Sequence, residues 1–193
     1  MASLGKLKKY QRKKYKRYKE LNDIKPKNDE AYILLAVENK ESIFSEYSSP
    51  DRPFLKTDFL DIIERRASFV PLDLPLVLEI QNNTFTSEDK ILIRKLIKNY
   101  FSLKTISKEV EYEAGSRKGR FLFTTGVICM ALIPFLGDIG PISFIKEMLS
   151  VIASFSFWEY SCLKLFDHDT LQEEIIHYRH LSNIRVIYDK DNS

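Results

Sequence analysis

The stretch FLFTTGVICMALIPFLGDIGPISFIKEMLSVIASFSFWEYSCLKLF, residues 121–166, decides the fold. Phe121 to Leu136 carries no charge, and continuing to Ile142 adds only Asp138. A membrane-crossing helix needs roughly 20 apolar residues, slightly fewer when flanking side chains reach the interface. Gly137, Asp138, Gly140 and Pro141 supply a turn. A second apolar segment then runs from Ile142 to Phe166, interrupted by Lys146, Glu147, Glu159 and Lys164. The bland reading is a buried helical hairpin in a soluble core. Against it, Phe121–Leu136 is apolar all round except for Thr124 and Thr125, whose hydroxyls can bond within a helix. The charges of the second segment also sit where a hairpin tolerates them. Lys146 and Glu147 lie one turn from the connection, and Lys164 can reach the other interface.

Glu159 is the test of a membrane reading. It lies seven residues before Phe166, about 10 Å deep at 1.5 Å per residue. A carboxylate at that depth must face the other helix, another subunit or water, or be protonated. Lys118 and Arg120, at the same end of the first span, are its natural counter-ions. The three form an expected intramembrane charge clamp, with Trp158 and Tyr160 at an interfacial level. SRKGR (116–120) before the first span and a basic N-terminal arm, against a near-neutral connection, place both termini in the cytoplasm.

Outward from the apolar region, charge is segregated. The 193 residues carry a formal net charge of only +3. Yet the first nineteen contain nine Lys or Arg and no acid. No apolar run or cleavage site follows that arm, so it does not read as a secretory signal. Its cations, Lys8, Lys9, Arg12, Lys13, Lys14, Lys16 and Arg17, admit three readings. They bind anionic lipid headgroups, form a solvated tail, or bind nucleic acid with Tyr10, Tyr15 and Tyr18 stacking. For a chain already anchored in a membrane, headgroup contact is the simplest. Cys129 and Cys162 both fall in apolar sequence and give no disulfide or zinc framework.

The remainder reads as a small α+β domain, interrupted by the transmembrane helical hairpin. NDIKPKND (22–29) reads as a polar linker, and EAYILLAVENKESIFSEY (30–47) as a helix. Thr57 looks like the N-cap of a helix with an apolar face of Leu60, Ile63, Ala67 and Val70. LVLEI (76–80) reads as a strand. Thr86 caps a helix faced by Ile93, Leu96, Ile97, Tyr100 and Phe101, persisting to about Glu113. Residues 167–181 read as a helix and 183–189 as a strand. The expected organisation is an arm and linker at 1–29, a cytoplasmic part at 30–115, a hairpin at 116–166 with spans near 120–137 and 142–166, and a closing helix and strand at 167–193. Asn82-Asn83-Thr84 matches a glycosylation sequon, which carries no weight without secretion.

Taken together, the proline-flanked helix before PLDLPLVLEI, the basic RKGR before an apolar span and the ending FWEYSCLKLFDHDTLQEEIIHYRHLSNIRVIY resemble a group of bacterial two-span membrane proteins with an α/β cytoplasmic part. The Trp158-Glu159 pair and Leu165-Phe166-Asp167 are the matching positions, within residues 44–189. The resemblance implies an architecture and no activity.

No reaction can be read from the residues. All three histidines lie in DHDTLQEEIIHYRH, so no catalytic triad can draw one from elsewhere. Glu174, His177 and His180 share a helical face, but a carboxylate-bridged di-metal site needs a second Glu-x-x-His element and further glutamates. A domain-packing face is the expected role. No Gly-rich phosphate loop occurs. No catalytic residue, metal site or cofactor is therefore expected. The leading expectation is an inner-membrane, non-enzymatic scaffold or regulatory module that binds a partner or self-associates as a homo-oligomer. The competing class is a membrane-perturbing effector whose assembled hairpins open a leak past Glu159, Thr124 and Thr125.

Overall fold

A computed structural model describes residues 24–27, 30–49, 51, 53–81, 85–136 and 141–188, without the side chains of 24–27, 141 and 142. The basic arm with its seven headgroup candidates, the sequon and the turn residues Gly137, Asp138 and Gly140 lie outside the described residues.

The domain is built on a four-stranded sheet of order β1-β2-β3-β4, with β1 Ile24–Lys27, β2 Glu30–Ala36, β3 Leu76–Gln81 and β4 Arg185–Tyr188. β1 runs antiparallel to β2, whereas β2, β3 and β4 are mutually parallel. Two expectations fall here. Residues 24–27 are a strand rather than part of a linker, and Glu30–Ala36 is a strand rather than the start of a helix. The run AYILLAV satisfies a helical period and a two-residue period alike. Pairing with β3 settles it, because Ala31, Ile33 and Leu35 turn inward beside Leu76, Leu78 and Ile80. Past β2 a single 3-10 turn, Lys40–Ser42, is capped by the Asn39 carboxamide, which accepts from the Ser42 amide at 3.0 Å.

β3 is buried along nearly its whole length, which is what the aliphatic LVLEI requires of an interior parallel strand. α1, Thr57–Ala67, connects β2 to β3 and buries Phe59, Leu60, Ile63 and Ala67, with Val70 buried just beyond it. Its N-cap is Lys56, with no side-chain cap bond, so Thr57 is the first helical residue and not the cap. α2 begins at Ser87, after a reciprocal cap. The Thr86 hydroxyl accepts from the Asp89 amide at 3.2 Å, and the Asp89 carboxylate accepts from the Thr86 amide at 3.0 Å. Lys40 closes on the same carboxylate at 2.6 Å. Ile93, Ile97 and Phe101 are fully buried on the face expected of this helix. Each such side chain contributes about 1.5–3 kcal/mol by leaving water.

Polar side chains tie helices to strand carbonyls. Arg66 donates to the Leu34 carbonyl and Arg94 to that of Val186, at 3.0 Å for the latter. Glu64 of α1 joins Lys104 at 2.7 Å and accepts from the Tyr178 hydroxyl at 2.8 Å. Burial alone pushes the Glu64 carboxyl up, but Lys104 and Tyr178 more than offset it and hold it below the usual carboxylate range. Lys104 also lies over the rings of Tyr100 and Tyr178.

α2 does not stop near Glu113. It runs as one helix of 46 residues, Ser87–Leu132, through SRKGR into the apolar run. Only Gly115, Gly119 and Gly126 weaken that stretch, at about 1 kcal/mol each, and no proline interrupts it. α3, Pro141–Cys162, leads through a π-helical turn at Leu163–Asp167 into α4, His168–Ser182. The chain divides into two compact units: residues up to Thr105 with Ile176 onward, and Ile106–Ile175.

Candidate functional site

The Ile106–Ile175 unit reverses the usual burial rule. Apart from Ile175 at its edge, its buried positions are small: Gly119, Gly126, Cys129, Ala153 and Ser156. Its large apolar side chains are exposed, among them Phe121 at 70%, Phe155 at 66% and Trp158 at 69%. Ser87–Phe135 is long and apolar enough to cross a membrane, and its most apolar window is only 17% buried. Among the described residues it is the one helix that meets this test; α3 carries Lys146, Glu147 and Glu159 within 22 residues.

Two of these small positions on α2 are covered by aromatic rings of α3. A Cβ on Gly126 would stand 3.1 Å from the Phe157 ring, and one on Gly119 would stand 3.6 Å from Tyr160. Glycines seven apart fall on one helix face, so both face the same partner helix. Phe123 fills the space between, 5.9 Å from the Phe157 ring and 5.1 Å from that of Tyr160. The hydroxyls of Thr124 and Thr125 donate back to the carbonyls of Arg120 and Phe121, at 2.9 and 3.0 Å.

Polar contacts begin where the apolar run ends. Lys118 Nζ lies 2.9 Å from Glu159 Oε1. Arg120, grouped with them from the sequence, instead lines a cleft of about 560 Å³ with Lys164. The Arg120 guanidinium has no acid partner among the described residues. The Lys164 ammonium lies 5.9 Å from the Tyr160 ring and likewise has no acid partner among them. Ser116 and His168 are 3.2 Å apart across the cleft, His168 packs edge-on to Tyr112, and Gln172 donates to the Tyr112 hydroxyl at 2.9 Å. Asp169 also lines the cleft. Farther along, Lys108 bridges Glu111 at 3.0 Å and Glu174 at 2.8 Å, and these two carboxylates raise its pKa.

The residues weighed as metal ligands have other engagements. Glu174 is paired with Lys108, His177 packs against Tyr178, and His180 Nε2 lies 2.8 Å from the Leu74 carbonyl. Among the described residues no group of three His, Cys, Asp or Glu could hold a metal ion. Cys129 and Cys162 are free thiols. The cleft was not read from the sequence, although a signal exists: Lys164, His168 and Gln172 recur every four residues, as do Tyr112, Ser116 and Arg120. Each triplet marks one face of a helix.

No family model, characterised protein or solved structure matches the chain.

Proposed function

We propose that this chain is an integral membrane protein. α2 and α3 form a transmembrane hairpin, and the α+β domain remains in the cytoplasm as a partner-binding or scaffold module. The observation that carries the reading is the reversed burial of the helical unit, with glycine, alanine and serine inside and phenylalanine, methionine and isoleucine outside. In water that arrangement would leave an apolar patch far larger than soluble monomers carry, whereas helix pairs in lipid pack through small residues. The bacterial inner membrane is the compartment that fits the resemblance and the charge layout. Exposed apolar surface on both helices also leaves room for a second copy.

The leak-forming reading draws less support. The hydroxyl hydrogens of Thr124 and Thr125 are donated to their own helix, and Glu159 has a lysine partner, which leaves fewer polar groups for a water path.

Alkaline carbonate extraction tests the proposal. The protein is expected in the membrane pellet, released only by detergent, and release by carbonate or salt alone overturns it. A membrane-potential dye during induced expression tests the module against the effector. An unchanged potential is expected.

A further inference from the structure

We infer that the cleft at Arg120 and Lys164 is a binding site for the phosphodiester of a membrane phospholipid. The inference rests on the membrane reading above. Arg120 immediately precedes the uncharged run that begins at Phe121, and Lys164 follows α3, so both cations fall at the same end of the helix pair. At that level in a bilayer, headgroup phosphates are the abundant anions, and basic pockets between helices take them.

Three observations shape the site. First, two cations face a cleft of about 560 Å³ without an acid partner among the described residues, whereas Lys104, Lys108 and Lys118 all have one. Second, the π-helical turn Leu163–Asp167 opens the chain here, with the His168 amide bonded back to the Leu163 carbonyl. It presents Lys164 and His168 on one side. Such turns occur frequently at functional sites. Third, Ser116 and Tyr112 bring hydroxyls to the same lining. Arg120 and Lys164 against Asp169 leave one net positive charge, which suits a phosphodiester monoanion better than a phosphomonoester dianion.

The guanidinium is expected to take two phosphate oxygens in parallel and the ammonium a third contact. The exposed Phe121 and Leu165 flank these cations in sequence and suit acyl chains.

The experiment uses the full chain purified in detergent micelles, probed with dioleoylphosphatidylglycerol, dioleoylphosphatidylcholine and inorganic phosphate. Native mass spectrometry reads lipid retained, and thermal unfolding reads stabilisation. Phosphatidylglycerol is expected to be retained and to raise the melting temperature. Arg120→Gln and Lys164→Gln should each weaken retention about fivefold to tenfold, while Lys95→Gln, which removes a charge elsewhere, leaves it unchanged. Lys164→Arg should keep retention, which guards against loss of folding as the cause. Equal retention by the parent and both glutamine variants overturns the site. Stabilisation by inorganic phosphate alone, lost in the same variants and with no lipid retained, overturns the lipid and assigns the cleft to a soluble anion. Carbonate release of the protein would instead remove the membrane reading, a failure visible before any lipid is added.

Discussion

Lys118 and Glu159 are the residues whose pairing can be measured most directly. Both are partly accessible to solvent, so the pair falls between surface bridges worth about 0–1 kcal/mol and buried ones costing about 3–5 kcal/mol when broken. Lys118→Met leaves the Glu159 carboxylate without its ammonium partner and is expected to cost about 1–2 kcal/mol in detergent. Glu159→Gln should be milder, and the double variant should recover most of the loss. Thermal unfolding of the four proteins measures the coupling, and additive losses would remove it. In the sheet domain, His180 sets the acid limb of stability. Burial pushes its imidazole below the ordinary range, against the opposing pull of the Leu74 carbonyl and Asp73. The unfolded chain takes a proton near pH 6.5 that the folded chain resists. This contribution is therefore complete above that value and is lost as pH falls through the folded pKa. Glu64, also depressed, adds its loss lower, below about pH 4.3. The protection of β3 amides, their exchange measured relative to the unstructured chain, should fall from pH 7 to 5 in the parent. In His180→Gln it should be uniformly lower but flat over that interval.

At the scale of elements, the α2–α3 crossing depends on two missing side chains. Gly126→Leu would drive a branched side chain into the Phe157 ring and is expected to separate the helices. Gly126→Ala requires a shift of a few tenths of an ångström and should be tolerated. In a chain with Cys129 and Cys162 replaced by serine, cysteines engineered at Phe123 and Tyr160, whose rings stand 5.1 Å apart, should be joined by a short bismaleimide in the parent and not in the leucine variant. How well elements could be read from sequence followed how many periods each one satisfied. Ile184, Val186 and Tyr188 alternate so strictly that only a strand buries them together, and they are buried. Ile93, Ile97 and Phe101 fit only a helix. The run at 31–37 fits both, and its partner strand lies more than forty residues away, so local pattern could not choose. Arg120 shows the same limit within a site. Two cations two positions apart could both be assigned to Glu159, and only side-chain placement divides Lys118 from Arg120.

At the scale of the whole molecule, the proposed orientation puts the sheet domain on the side that carries the basic segments. Glu46→Cys, on an exposed loop of that domain, should resist a membrane-impermeant maleimide in intact cells and react once the inner membrane is opened. Reaction in intact cells would invert the orientation. The order in which the sheet is assembled carries a further consequence. β3 pairs with β4, and Leu78 and Val186, which face each other, are 108 positions apart, with the entire helical unit between them. At about 5–20 residues per second of synthesis, the β4 edge of β3 stands open for about 5–20 s. Throughout that interval it offers unpaired amides and carbonyls beside Val77, Leu78 and Ile80, a template for any other strand. The nascent sheet therefore cannot close before the helices have been made. A ribosome that stalls between Leu132 and Ile184 leaves a chain that chaperones and proteases can recognise by that edge alone.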